Sequence, residues 1–231
     1  MTEAVVLLPG LLCDHRLFAA QRPLLEPRAP VLVPDLTGAD TVAALAADVL
    51  AQAPPRFALA GLSMGGYVAF EILRRAAERV TRLALLDTQA RADSEEAKAR
   101  RRGLMELAER GEFNGVTPRL LPLFLAPAAL ADPGIVAIVQ DMAADVGKDA
   151  FLRQQRAIMG RPDSRPDLGA IACPTLVLAG REDQLTPPEP QLEMAHAIPD
   201  ATLVLLPRCG HLAPLERPEA VARQLLAWLD G

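Results

Sequence analysis

The sequence predicts an α/β fold, in which a predominantly parallel sheet of about six core strands carries helices on both faces. Hydrophobic residues make up 51% of the 231 residues, enough to form a large buried core within one domain. Short runs rich in Val and Leu alternate with helical stretches along the chain. Each run is almost continuously apolar, as expected of a strand that is buried on both faces.

Six such runs predict the strands, and the stretches between them predict helices. The strands are expected at Ala4–Leu8, Val31–Pro34, Phe57–Ala60, Arg82–Leu86, Thr175–Leu178 and Thr202–Leu206. Core helices are expected at Thr41–Ala53, Met64–Ala76, Glu189–Ala197 and Pro218–Leu229.

The long interval between Thr88 and Ala172 contains no convincing strand. A structureless connection of that length is uncommon, so we expect a helical lid. The lid is predicted at 89–169, and the core at 1–88 and 170–231. Its helices are expected around the charged run Ser94–Arg102 and at Pro118–Phe124, Gly134–Met142 and Ala150–Met159.

Charge and cysteine content exclude several classes of function. The net charge of -5 leaves no basic surface for nucleic acid. The three cysteines are an odd number without C-x-x-C spacing, so neither a disulfide framework nor a zinc site is expected. The run Val5–Leu8 has no basic residues before it, and prolines interrupt the apolar stretch Leu120–Ala131. We therefore expect a cytoplasmic protein with no membrane partner.

The pentapeptide Gly61-Leu62-Ser63-Met64-Gly65 has the pattern G-x-S-x-G and lies between a predicted strand and a predicted helix. In that setting the pattern forms a nucleophile elbow, in which glycines allow close approach around a strained serine. The alternative is an ordinary glycine-rich turn with a capping serine. The only other serines, Ser94 and Ser164, lie in charged or proline-rich surroundings.

A serine nucleophile needs a base within hydrogen-bonding reach, and the chain has three histidines. His211 lies in the loop after the last predicted strand, which favours it as the base. His196 lies within a predicted helix. His15 follows the first strand in a polar turn and remains the alternative.

The acid that orients the histidine is expected to be Asp183. It follows a predicted strand and lies between Ser63 and His211, which gives the chain order Ser, Asp, His. Asp87 also follows a strand and satisfies the same order, so it stays open, with Glu182 as a third choice.

An oxyanion hole requires two backbone N–H groups that point at one position. Met64, directly after Ser63, is expected to supply one, and Leu11, in the turn after the first strand, the other. Taken alone, that turn could be an ordinary β–α turn. However, all four elements follow predicted parallel strands, the edge at which open α/β sheets bind ligands.

These motifs resemble the α/β-hydrolase superfamily, specifically its small bacterial esterase-like members, along the whole chain. The resemblance rests on L-L-P-G-L-L-C-D at Leu7–Asp14, G-L-S-M-G-G at Gly61–Gly66, G-R-E-D-Q-L-T-P-P at Gly180–Pro188 and C-G-H-L-A-P-L-E-R-P at Cys209–Pro218. It implies a helical lid between the sixth and seventh family strands, and no cofactor or metal.

Two features depart from the family pattern. The oxyanion turn has Pro9-Gly10 where relatives have His-Gly, which keeps the backbone donor but not the side chain. The first predicted strand corresponds to the third family strand, so the leading hairpin is missing and six strands are expected.

The expected function is serine-dependent hydrolysis of a small-molecule carboxylic ester with a small or medium acyl group, through an acyl-enzyme. An apolar acyl wall is expected from Leu121, Leu123, Phe124 and Leu125 in the lid, with ordinary packing within the lid as the alternative for each of them. The alternatives are C–C bond hydrolysis, hydroxynitrile lyase activity or cofactor-free peroxidation on the same triad, or a small-ligand receptor.

Overall fold

A computed structural model describes residues 3–231, so Met1 and Thr2 of the predicted core segment 1–88 lie outside the described residues. Six parallel strands form one sheet, in the order β2-β1-β3-β4-β5-β6. The strands are β1 (Ala4–Leu8), β2 (Val31–Leu32), β3 (Phe57–Leu62), β4 (Val80–Leu86), β5 (Thr175–Gly180) and β6 (Ala201–Leu206). The predicted fold class is confirmed.

Five of the six strands differ from the prediction by one or two residues at one end. β2 was expected to reach Pro34 but ends at Leu32. It pairs only with β1, and proline has no N–H for a further ladder bond. In contrast, β3 and β5 run two residues beyond their predicted ends, to Leu62 and Gly180. These extensions bring the strands up to the loops that hold the candidate site.

Helices cover both faces of the sheet, and each face has its own hydrophobic core. Alternate residues of β1 show the division, because Val5 and Leu7 join one core and Val6 and Leu8 the other. The helices are α1 (Arg22–Leu25), α2 (Val42–Gln52), α3 (Met64–Ala76), α4 (Glu95–Leu107), α5 (Leu121–Phe124), α6 (Pro127–Leu130), α7 (Pro133–Met159), α8 (Pro188–Ala197), α9 (Ala213–Glu216) and α10 (Pro218–Asp230).

Every secondary-structure element between β4 and β5 is helical. These elements are α4 to α7 and two short helical turns, one after α4 and one before β5. Gly147 interrupts α7 with φ 76° and ψ 175°, which separates two helices near the positions predicted for them. The helix expected at Pro118–Phe124 is only the single turn α5. None of the helices within residues 3–231 is long and apolar enough to cross a membrane.

A buried ion pair joins the two ends of this connection. The Arg161 guanidinium lies 2.8 Å from Asp93, and both side chains are less than 5% exposed. Arg161 also donates hydrogen bonds to the carbonyl of Arg91 and lies over the Tyr67 ring, 4.0 Å from its centroid. The segments at which the chain leaves β4 and returns toward β5 are therefore fixed to each other and to α3.

Replacing Arg161 with alanine should lower the free energy of unfolding by about 2 kcal/mol or more, because the buried Asp93 would lose one of its two arginine partners and keep only Arg101. Arg100 provides the matched control, since its ion pair with Glu96 is solvent-exposed and its loss should change stability by less than about 1 kcal/mol. Urea denaturation of the two variants measures the difference. Equal stability of the Arg161→Ala and Arg100→Ala variants would contradict the structural role of the pair.

Candidate active site

Ser63 lies in the sharp turn between β3 and α3, with φ 53° and ψ -113°. A positive φ is strained for any residue other than glycine, so the surroundings must hold it. The Ser63 N–H donates to the carbonyl of Leu86 at 2.9 Å. The Ser63 carbonyl accepts a hydrogen bond of 2.7 Å from the Thr88 hydroxyl. The end of β4 thus holds the strained serine through both of its backbone polar groups.

Two glycines allow α3 to start in close contact with its neighbours. A Cβ atom on Gly65 would overlap the backbone oxygen of Leu8 in β1, and one on Gly66 would overlap the Thr88 side chain. Both positions therefore need a residue without a side chain. The sequence pattern predicted this for Gly65, whereas Gly66 lies outside the pattern.

His211 bridges Ser63 and Asp183. Its Nε2 lies 2.9 Å from the Ser63 Oγ, and its Nδ1 lies 2.8 Å from Oδ2 of Asp183. A carboxylate can only accept, so Nδ1 carries the proton and Nε2 is left to accept the Ser63 hydroxyl. Such an arrangement allows His211 to remove the serine proton during nucleophilic attack.

The Asp183 carboxylate is held from several sides. Oδ1 accepts the N–H groups of Leu185 and Thr186, at 2.8 and 3.0 Å, and Oδ2 accepts the Thr186 hydroxyl at 2.6 Å. Burial acts to raise the pKa of Asp183, but the charge of His211 and the hydrogen bonds outweigh it and place the pKa below its usual value. The side chain is therefore ionised at neutral pH, as an acceptor for Nδ1–H must be.

Asp87, the other acid considered, has a different environment. It is fully buried after β4, and its Oδ1 accepts the N–H of Gly180 at 2.8 Å, at the end of β5. Its Oδ2 has no hydrogen-bond partner among the described residues. Burial, and then the charge of Asp183, raise the pKa of Asp87 well above its usual value. Its hydrogen bond to Gly180 fixes the backbone at the end of β5, and within residues 3–231 it makes no hydrogen bond to His211.

The remaining candidates point toward solvent. The His15 side chain is 68% exposed and lies 3.8 Å from the Asp14 carboxylate. His196 is exposed near the end of α8, and Glu182 is exposed beside Asp183. Of the acids and histidines considered from the sequence, only Asp183 and His211 form a hydrogen-bonded chain to Ser63.

Sequence reasoning missed Gln191, which joins the serine and acid loops. Its side chain is fully buried, and its Nε2 donates to the carbonyls of Thr88 at 2.6 Å and Thr186 at 3.2 Å. Thr88 holds the Ser63 carbonyl, and Thr186 holds the Asp183 carboxylate. The helical pattern of α8 gives no sign that a glutamine there points inward.

Glu216 anchors the histidine loop. Its carboxylate accepts the N–H groups of Gly210 and Leu212, on either side of His211, at 2.9 and 3.1 Å. It also accepts the N–H of Ala126 at 2.9 Å, which connects the loop to α6. Burial raises the pKa of Glu216 even though these three donors act against the rise. The residue lies within a motif identified from the sequence, but its role was not predicted.

The segment around α5 packs directly against the histidine. The His211 N–H donates to the carbonyl of Phe124 at 2.9 Å, and the two rings meet edge to face with centroids 6.3 Å apart. Leu121 and Leu125, both expected in the apolar wall, are buried in the hydrophobic core. Leu123 was expected in the same wall but is 42% exposed, because it lies on the opposite side of this single helical turn.

The two predicted oxyanion donors are backbone N–H groups, one at the elbow and one in the turn after β1. Met64 is the first residue of α3, so its N–H has no partner within the helix. The Leu11 N–H makes no hydrogen bond within the described part of the chain. Gly10 packs against the elbow so closely that a Cβ there would lie 3.4 Å from Ser63 Cβ.

The cysteines are free thiols, and burial raises the pKa of Cys13, beside the oxyanion turn, to about 12. Cys13 is therefore protonated at neutral pH. From Glu3 to the C-terminus, no group of three or more His, Cys, Asp or Glu side chains is placed to hold a metal ion.

Replacing Glu216 with glutamine should speed amide hydrogen exchange at one or more of Gly210, Leu212 and Ala126. The reason is that the new NH₂ group cannot accept a hydrogen bond where a carboxylate oxygen did. Exchange measured by NMR tests this, with Glu219→Gln, an exposed position on α10, as the control. Unchanged protection of all three amides in the Glu216 variant would contradict the anchoring role.

Known proteins were compared with this chain. A family model described as the alpha/beta hydrolase family matches residues 5–224. A thermophilic esterase from Thermogutta terrifontis superposes with a TM-score of 0.92 and 34% identity, over 99% of this chain and 89% of its own. The enol-lactonase from Burkholderia xenovorans LB400 gives 0.88 and 26%, over 100% and 92%. A Mycobacterium tuberculosis protein, provisionally assigned as a non-heme bromoperoxidase, is 31% identical over 199 residues, 81% of this chain and 72% of its own.

Proposed function

The chain belongs to the α/β-hydrolase family, and we propose that it hydrolyses small or medium acyl carboxylic esters through an acyl-enzyme on Ser63. The observation that carries the proposal is the hydrogen-bonded chain from Ser63 through His211 to Asp183. Each of the three side chains follows a different strand of the sheet, and His211 and Asp183 are almost fully buried.

The proposed reaction has two half-reactions. The Ser63 Oγ attacks the ester carbonyl as His211 takes its proton, and the N–H groups of Leu11 and Met64 stabilise the oxyanion. The intermediate collapses to the acyl-enzyme, and His211 returns the proton to the departing alcohol. Water then attacks the acyl carbonyl, again with His211 as the base, and the acid product leaves from Ser63. Asp183 stabilises the protonated imidazole in both steps.

The choice of an ester substrate is supported by the environment of the serine and by the family. Phe124 contacts His211 and packs against the hydrophobic core that contains Leu121 and Leu125, and an apolar neighbour of this kind suits an acyl chain without charge. The esterase and the enol-lactonase reported above are named for substrates that contain an ester bond. The relative assigned to bromoperoxidation makes hydrogen peroxide, in place of water, a second acceptor worth testing.

Ser63→Ala should abolish turnover of p-nitrophenyl butyrate while leaving the denaturation midpoint close to that of the wild type, since only the hydroxyl is lost. A fluorophosphonate probe should label the wild type at one site, and peptide mass spectrometry should place the label on Ser63. Labelling of Ser94 or Ser164, or full activity of the alanine variant, would show that the nucleophile lies elsewhere.

Parallel assays with lactones, diketones, and peroxide with bromide test the alternative reactions.

Asp183→Asn should lower kcat by about 10⁴-fold, because an amide favours the tautomer in which the proton sits on the wrong imidazole nitrogen. Asp87→Asn is the matched control. An asparagine oxygen can still accept the Gly180 N–H, and burial, which raises the pKa of Asp87, already acts against the charge that the substitution removes. The kcat of the Asp183 variant, measured in steady-state assays, should therefore be far lower than that of the Asp87 variant. A larger loss in the Asp87 variant would transfer the orienting role to that residue.

A further inference from the structure

The backbone of the proposed oxyanion turn is strained and is held from one side by a side chain. The carbonyl of Gly10 accepts the N–H of Cys13 at 3.2 Å, and Leu12, the third residue of this turn, has φ 59°. That conformation is typical of a type II turn, whose third position normally requires glycine or asparagine. Leucine is unfavourable there by about 1–2 kcal/mol, so other contacts must maintain the turn.

A hydrogen bond to Gln154 of α7, in the segment inserted between β4 and β5, helps to maintain this turn. Oε1 of Gln154 accepts the N–H of Leu12 at 3.1 Å, in a fully buried environment. Nε2 of the same amide donates to the carbonyl of Leu36 at 3.2 Å. One partner needs an acceptor and the other a donor, so the amide can adopt only one orientation. Gln154 thus ties the turn after β1 to the loop after β2.

The bond to Leu12 acts on the peptide next to the proposed oxyanion donor. The Leu11–Leu12 peptide is the central unit of the turn, and its N–H points at Gln154. Without that acceptor, the buried N–H would lose its partner and the strained φ of Leu12 would lose its support. The turn could then relax, and the N–H of Leu11 would move with it.

We propose that Gln154 is a positioning residue, which acts through Leu12 to hold the Leu11 N–H in the direction required for the oxyanion. The inference rests on the proposed function, because it concerns the oxyanion hole of that reaction. It also gives the inserted segment a part in the rate of the reaction, in addition to its part in the substrate wall. Hydrogen bonds to a developing oxyanion are effective only when they are fixed in advance, so small displacements are costly.

Gln154→Leu keeps the side-chain volume and removes both hydrogen bonds. We expect kcat for p-nitrophenyl butyrate, and the rate of fluorophosphonate labelling of Ser63, to fall by about tenfold to a hundredfold. KM should change little, since the substrate wall is untouched. Hydrogen exchange at the Leu12 amide should become faster.

The neighbouring residue supplies a matched control. Gln155 is equally buried on the same helix, but its Oε1 accepts a hydrogen bond from Arg101, and within residues 3–231 it makes no hydrogen bond to the turn. Gln155→Leu should reduce stability in the same way while kcat, the labelling rate and Leu12 exchange stay within about threefold of the wild type. A purely structural role for Gln154 predicts instead that the two leucine variants behave alike.

A third variant tests the hydrogen bonds directly and applies even if Gln154→Leu does not fold. In Gln154→Glu, a neutral carboxyl can accept from Leu12 and donate to Leu36, whereas an ionised one can only accept. Since Leu12 keeps its acceptor in both states, Leu12 exchange should stay slow and kcat should remain within about threefold of the wild type, most closely at low pH, where the Leu36 carbonyl keeps its donor as well. Fast Leu12 exchange in Gln154→Glu with an unchanged kcat would overturn the proposal, because the bond to Leu12 would then not govern the rate.

Failure of the inference can be told from failure of the proposed function. If the wild type hydrolyses the ester and takes the label, but Gln154→Leu matches Gln155→Leu, only the role of Gln154 is wrong. If the wild type neither turns over nor takes the label on Ser63, the proposed function fails and the inference fails with it.

Discussion

The tight turn between β3 and α3 constrains the rest of the site. Ser63 can keep a positive φ only because β4 binds its N–H and its carbonyl, and α3 can begin there only because Gly65 fits against β1. Strain of this kind persists where the surroundings determine the backbone from several sides. The turn therefore places the serine hydroxyl at the carboxyl edge of the sheet with little freedom to move.

Around this turn, buried polar side chains connect each loop of the site to a neighbour. Gln191 links the serine and acid loops, Glu216 links the histidine loop to the inserted segment, and Gln154 links the turn after β1 to the loop after β2. Leaving any of these buried groups unpaired is unfavourable by about 1–3 kcal/mol, so the loops hold one relative arrangement. A site that depends on hydrogen bonds of 2.8 to 2.9 Å among three loops requires this rigidity.

Much of this arrangement could be predicted from the sequence because its signals are local. Continuous apolar runs mark buried parallel strands, and G-x-S-x-G between a strand and a helix marks the elbow around Ser63. The order of the strands then puts the loops of Asp183 and His211 side by side, as β5 and β6 are neighbours. The contacts of Gln154 and Gln191 could not be predicted in the same way. A glutamine on a helix is usually solvent-exposed, and only the packing of distant segments shows that these two point inward.

The segment between β4 and β5 could also be predicted from the sequence only in part. Its helical character followed from its length and composition, but the exposure of Leu123 beside the buried Leu121 depends on how one short turn packs. The histidine loop depends on the same packing, since the His211 N–H donates to the carbonyl of Phe124. A change in either the segment or the histidine loop should therefore alter both.

The acyl-enzyme on Ser63 is the central claim, and rapid acid quenching tests it most directly. Wild-type protein mixed with p-nitrophenyl butyrate and quenched within the first turnover should carry one butyryl group on the peptide that contains Ser63. Its formation should match the release of the first equivalent of p-nitrophenol. Release of that first equivalent with no butyryl group on Ser63, or with the group on another residue, would contradict the account.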